Sequence, residues 1–241
     1  MINEQQKNII KSKISRVEKH PNQSIALGIL AGIFIAIGAL LMSIAKAEGC
    51  NKITCGFIFS CGLFFVVVTG AELFTGNCMI SGLLSCDPDR DTLKPTKLLL
   101  MNYISNMIGS IIVFIIVIIC KMDCSTLIEL AVIKCGESAP TLLARGLACN
   151  ILVCLAVWIG VYLEQTHSKL ERFISIIFPV LAFVACGFEH SVANMFILPF
   201  GLLSGELDIL QIIIQLLLVT SGNWLGGIFL GCLISETMKE D

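Results

Sequence analysis

The chain has 241 residues, 56% of them apolar and only 14% charged, with a formal net charge of −2 and a mean hydropathy of +0.90. Soluble domains carry roughly 25% charged residues, so this composition excludes an ordinary soluble fold and places the chain in a lipid bilayer. The small net charge supplies no strong steering field and leaves no nucleic-acid footprint.

Residues 1–23 are polar and basic, with Lys7, Lys11, Lys13, Arg16 and Lys19. They lack the short apolar core and cleavage site of a signal peptide and read as a cytoplasmic amphipathic arm. About 20 apolar residues cross a hydrocarbon core of about 30 Å. Six spans follow by that rule: 24–45, 53–84, 97–120, 140–163, 173–203 and 208–234. Residues 24–234 therefore read as an all-α, six-span transmembrane domain, and 235–241 as a cytoplasmic tail.

The second and fifth spans are too long for a single crossing. Each carries the pattern Gly-x-Glu-x-x-x-x-Asn, as Gly70, Glu72 and Asn77 and, 117 residues later, as Gly187, Glu189 and Asn194. Acidic and amide side chains are costly at membrane depth and mark functional interruptions. Both spans are expected to break there, and irregular backbone is tolerated at that depth only where protein or a cavity satisfies it. The same offset pairs Asn106 with Asn223 and Gly109 with Gly226, and one earlier insertion sets Gly28 opposite Gly146. Residues 24–120 and 140–234 thus read as two copies of a three-span unit. Three is odd, so the copies enter from opposite sides, giving an inverted repeat whose two Glu-bearing breaks meet near the midplane.

Lysine and arginine set the orientation. Eleven of them, including Arg90, Lys94, Lys97, Lys169, Arg172 and Lys239, fall on the side of the termini, against Lys46, Lys52, Lys121, Lys134 and Arg145 on the other. Both termini are therefore expected to be cytoplasmic. The twelve cysteines form no C-x-x-C pair and read as small buried apolar residues. Haem would need axial ligands, yet His20 and His167 fall in cytoplasmic segments. No cofactor, metal or enzymatic activity is expected.

His190 is the one histidine placed in the membrane, beside Glu189 and opposite the break that offers Thr75. Its proton exchanges near neutral pH, so it can donate a hydrogen bond to an anion or hand it a proton. Glu72 and Glu189 read as ties for their own bends, accepting from freed backbone amides, with Asn77 and Asn194 as the other half of each bend. Half-helix N-termini at the breaks favour a small anion or polar solute. Phe59, Leu63, Leu73, Phe74 and Phe183 are candidates for apolar constrictions, although such residues usually serve helix packing. An aquaporin-type facilitator of small neutral solutes shares this architecture, but its paired Asn-Pro-Ala signatures are absent.

Three blocks make the chain recognisable: Gly70-Ala-Glu72-Leu-Phe-Thr75, Asn150 through Trp158, and Pro179 through Asn194 followed by Met195. They resemble the defining blocks of the formate/nitrite transporter family, over residues 22–235. The resemblance implies an aquaporin-like fold assembled as a homopentamer in the bacterial inner membrane, with one pore per protomer passing formate, nitrite or hydrosulfide. It makes Thr75 and His190 the pair that meets the permeant, and Asn150 a polar lining residue of the same chamber. It also assigns Phe59, Leu63, Leu73, Phe74 and Phe183 to constrictions and a mobile loop. Lys134, sixteen residues before Asn150, matches a lysine facing the entrance funnel. The continuation Thr75-Gly-Asn77-Cys-Met departs from the enteric formate channels and is closer to the hydrosulfide branch, so hydrosulfide is the favoured substrate.

Overall fold

A computed structural model describes residues 4–84, 93–162 and 168–237, and its regular elements there are all helical. Arg90, His167 and Lys239, which entered the charge and ligand counts, lie outside the described residues. The helices are α1 (Glu4–Lys19), α2 (Pro21–Ala47), α3 (Lys52–Thr69), α4 (Phe74–Asn77), α5 (Met79–Leu83), α6 (Leu93–Ile119), α7 (Ser125–Cys135) and α8 (Ala139–Val157). After a π-turn at Trp158–Tyr162 come α9 (Lys169–Ala185), α10 (Ser191–Leu203) and α11 (Ile209–Thr237).

Among the described residues, five helical stretches are long and apolar enough to cross a membrane: Pro21–Ala47, Lys52–Thr69, Lys94–Ile119, Ala139–Val161 and Ile209–Thr237, with Ser191–Leu203 as a shorter apolar helix. At 1.5 Å per residue, the 27 residues of α2 reach about 40 Å, more than the hydrocarbon core requires. The predicted fifth span, 173–203, is shared between α9 of 17 residues and α10 of 13.

Helices pair within each half of the chain: α2 lies against α6 and α3, and α8 against α11 and α9. The shorter helices then cross over. α5, from the first half of the chain, packs on α11, and α10, from the second half, packs on α6 and α2. The long α3 and α9 lie against each other between the two sets. Exposed side chains such as Ile115, Ile116, Ile119, Phe178 and Leu217 leave a broad apolar exterior, as expected where lipid is the solvent.

α1 does not hang free of this bundle. Ile10 and Val17 are buried in the apolar core at 2% exposure each. α1 touches the start of the bundle, and α7 touches the far end of α2 through the Lys46–Glu129 ion pair at 3.2 Å. Amphipathic pieces therefore cover opposite ends of the same bundle.

Close helix contacts run through glycine. A Cβ at Gly109 would overlap the Ile29 carbonyl oxygen, and one at Gly226 would overlap that of Leu147. Small residues let membrane helices approach backbone to backbone. Gly109→Val should therefore destabilise the detergent-solubilised protein by about 1–3 kcal/mol or more. The check is loss of the folded peak after heating, and Ile111→Val, at an exposed position, should stay within about 0.5 kcal/mol of the parent.

Candidate functional site

Both motif glycines end a helix in the left-handed region, Gly70 at φ 69° and Gly187 at φ 71°. That conformation suits glycine because a Cβ is penalised there. The chain then runs without helical structure through 71–73 and 188–190 before α4 and α10 begin. Each turn exposes backbone groups that no helix can satisfy, and the structure satisfies them in the same way twice.

After the first glycine, the Glu72 amide donates to the Leu27 carbonyl at 3.1 Å, and after the second the Glu189 amide donates to Arg145 at 3.2 Å. Asn106 on α6 then closes the first turn. Its Nδ2 donates to the carbonyls of Gly28 at 2.8 Å and Glu72 at 2.9 Å, and its Oδ1 accepts from the Phe74 amide at 2.9 Å. Asn223 on α11 does the same for the second, donating to Gly146 and Glu189 at 2.8 Å each and accepting from the Ser191 amide at 2.8 Å. Both asparagines are fully buried. The sequence pattern paired them by offset without assigning this work.

The glutamates do not hold backbone amides, contrary to expectation. Those amides are already taken by carbonyls and by asparagine. Glu72 instead accepts from Lys13 Nζ at 2.7 Å, Arg16 NH1 at 2.7 Å and Asn77 Nδ2 at 2.6 Å. Glu189 accepts from Lys134 Nζ at 2.8 and 2.9 Å, Asn194 Nδ2 at 2.7 Å and Gln215 Nε2 at 3.3 Å. A buried carboxylate persists when paired and hydrogen-bonded, and these are both. The cations come from α1 in one case and from α7 in the other, so the two carboxylates share no partner among the described residues. Lys134 sits on Glu189 with its side chain 16% exposed, where a solvated loop position would leave it open. Sequence reasoning counted Lys13 and Arg16 only as charge bias and passed over Gln215.

What meets at the centre is Thr75 and His190. Thr75 Oγ1 lies 2.9 Å from His190 Nε2, with Thr75 at 0% and His190 at 3% exposure. His190 Nδ1 accepts from the Ala193 amide at 3.2 Å, capping α10. An acceptor nitrogen carries no proton, so this hydrogen-bond pattern assigns the ring proton to Nε2, which donates to Thr75. The Thr75 hydroxyl keeps its own hydrogen for a further partner.

Apolar side chains enclose the pair. His190 stacks on Phe183 at 5.9 Å between ring centroids, and Phe183 meets Phe59 edge-on at 5.6 Å. Leu63, Leu73 and Phe74 are buried, Phe74 against Tyr103 at 5.1 Å. Asn150 spends its Nδ2 on the carbonyls of Thr75 and Asn223, while its buried Oδ1 has no partner among the described residues. On the α1 side, a cavity of about 170 Å³ is lined by Lys13, Arg16, Glu72, Leu73, Asn77 and Val157, among others. Leu73, Gly76 and Asn77, which flank Thr75 in the chain, line that cavity.

The profile described as "Formate/nitrite transporter" matches residues 3–235. The chain belongs to the formate/nitrite transporter family. It is 34% identical over 255 residues to a probable formate transporter of Methanothermobacter thermautotrophicus, covering 93% of this chain and 92% of that one. Among solved structures it superposes on an FNT family ion channel with a TM-score of 0.87 at 28% identity, covering 99% and 98% of the two chains. A pentameric formate channel with formate bound gives a TM-score of 0.79 at 29% identity, covering 90% and 97%. These relatives are membrane channels and transporters, not enzymes.

The asparagine clamps give the family fold a direct test. Asn106→Leu strands three buried backbone groups, and each orphan costs about 1–3 kcal/mol. The variant should lose several kcal/mol of stability and most folded yield, and Asn106→Asp, which keeps the acceptor but sets a carboxylate against two carbonyl oxygens, should lose at least as much. Size-exclusion profiles and melting in detergent read the difference.

Proposed function

We propose that this chain is a six-span channel for small monovalent anions, and that its permeation path runs past Thr75 and His190. In this reading α3 with α4 and α5 forms one interrupted span, α9 with α10 another, and the two halves form an aquaporin-like inverted repeat. Two kinds of observation support the repeat. The asparagine and glutamate contacts recur at an offset of 117 residues, and Thr220 donates to its own counterpart, Tyr103, at 3.2 Å. A residue touches its symmetry mate only beside the symmetry axis. We further propose a homopentamer, by analogy with the pentameric relative, seated in the bacterial inner membrane with both termini cytoplasmic.

The observation that carries the reading is the buried Thr75–His190 contact. The side chains around the pair are aromatic and aliphatic and the Asn150 Nδ2 is already spent, so the hydroxyl hydrogen of Thr75 is a donor available to a passing anion. A bare anion in an apolar throat is penalised by about several kcal/mol, and its neutral acid by far less. His190 supports two steps. As the Nε2–H tautomer it polarises Thr75, which then donates a hydrogen bond to the anion. When Nδ1 takes a proton from acidic water it must release the Ala193 amide. The Nε2 proton then passes to Thr75 Oγ1, the Thr75 hydroxyl proton passes to the anion, and a neutral Nδ1–H ring remains.

The permeants are formate, nitrite and hydrosulfide, and the departure at Thr75-Gly-Asn77-Cys-Met favours hydrosulfide. Lys134, held by Glu189, lines the mouth opposite α1. Phe59, Leu63, Leu73, Phe74 and Phe183 form the apolar constrictions, and Asn150 fixes the Thr75 carbonyl from behind. Glu72 with Asn77 and Glu189 with Asn194 hold the two turns.

His190→Asn retains hydrogen-bonding capacity but cannot relay a proton. Formate uptake into proteoliposomes should lose its rise at acidic pH and fall roughly 10-fold or more there, the usual scale of a positioned acid. Uptake with the parent pH profile would remove His190 from the mechanism.

A further inference from the structure

The two glutamates occupy matching places yet are neutralised unequally. Glu72 holds two cations, Lys13 and Arg16, at 2.7 Å each. Glu189 holds one, Lys134, and completes its shell with the neutral amides of Asn194 and Gln215. The offset explains the difference. Lys134 stands 118 residues after Arg16, but the residue 118 after Lys13 is Ala131, and Gln215 stands 117 after Leu98. One cluster therefore carries a surplus positive charge and the other carries none.

The surplus faces the cavity of about 170 Å³ on the α1 side. Arg16 is its least committed member. Among the described residues only NH1 is engaged, by Glu72 Oε1, and the side chain remains 27% exposed. Guanidinium is rigid and planar, with five N–H donors arranged in forks that match two-oxygen anions in a bidentate way. The remaining fork lines the same cavity as Leu73, the apolar residue that precedes Thr75. Lys13 stands on the other carboxylate oxygen and adds charge without a second planar edge. Ser12 also lines the cavity, but its hydroxyl donates to the Ile9 carbonyl at 2.8 Å.

We propose that Arg16 is a capture site for planar two-oxygen anions, the class of formate and nitrite, at the mouth beside α1. This rests on the reading of the chain as an anion channel. Hydrosulfide and chloride, with charge on a single atom, cannot form the two parallel bonds that the fork offers to two oxygens. On the Lys134 side Glu189 engages no guanidinium among the described residues, and the Arg145 guanidinium is paired with Glu137 instead, so capture by a fork seated on the motif glutamate is one-sided. A two-oxygen anion is taken up from the α1 side at lower concentration than from the opposite side, and hydrosulfide shows less asymmetry.

The test compares the parent with Arg16→Lys and Arg16→Gln in proteoliposomes sorted for uniform orientation. Arg16→Lys keeps the charge and the ion pair with Glu72 but loses the fork. It should raise the formate half-saturation on the α1 side by roughly 3- to 10-fold, the worth of about one hydrogen bond. Hydrosulfide on that side, and formate on the other, should shift by less than about twofold on the same scale. Arg16→Gln removes the charge as well and should raise both anions on the α1 side. Equal shifts for formate and hydrosulfide with Arg16→Lys, or no shift, would overturn the proposal.

A flux-free measurement separates this site from the transport reading. Saturation-transfer NMR of formate with the detergent-solubilised full chain should give a signal that Arg16→Lys weakens. A parent that binds formate through Arg16 but passes no anion would retain the capture site and defeat the channel. A parent that passes formate while neither measurement responds to Arg16→Lys would do the reverse.

Discussion

Backbone amides and carbonyls have no water to turn to inside a bilayer, and that constraint shapes this protein more than any other. The chain leaves the helix at two places and answers each time with one buried asparagine reaching from a neighbouring long helix. Asn106 and Asn223 each bind three backbone groups that would otherwise be orphaned. Because each fixes the first amide of the helix that follows, Phe74 in one case and Ser191 in the other, it also fixes where Thr75 and His190 stand. The buried Thr75–His190 pair is thus positioned by the same bonds that make the turns tolerable.

Charge is handled from outside the bundle. Each motif glutamate is buried beside its turn and takes its cation from a peripheral helix, α1 or α7, while an asparagine from its own turn fills a further position. Each carboxylate is thereby neutralised beside its own turn, and the Thr75–His190 contact involves neither. The centre is left with a hydroxyl and an imidazole in an aromatic and aliphatic setting, which suits a species that must shed water and then find a donor. The same arrangement gives α1 a defined seat, with Ile10 and Val17 in the core and Lys13 and Arg16 on Glu72.

Much of this was legible in the amino-acid order because a bilayer penalises polar residues and so makes the survivors conspicuous. The apolar runs marked the helices, and the repeated Gly-x-Glu-x-x-x-x-Asn marked both turns. The offset that linked Asn106 to Asn223 flagged two residues whose bonding only coordinates reveal. The partners of the glutamates were not legible. Lys13, Arg16 and Gln215 reach them across 59, 56 and 26 residues, and no local pattern encodes such a meeting. The expectation that backbone amides would hold the carboxylates failed for a specific reason. The amides of Gly70, Ala71, Glu72 and Phe74, and of Gly187, Phe188, Glu189 and Ser191, are already bonded to carbonyls or asparagine.

The shared architecture of anion channels and aquaporin-type facilitators makes the choice of permeant the central question. It is decided most directly by parallel stopped-flow measurements on proteoliposomes of the unaltered protein, with formate, nitrite, hydrosulfide, chloride and water. The account expects the first three to cross far faster than in protein-free vesicles, with flux rising as the pH falls, and water to cross no faster than through lipid alone. Rapid water flux with no movement of the three anions at any pH would contradict it.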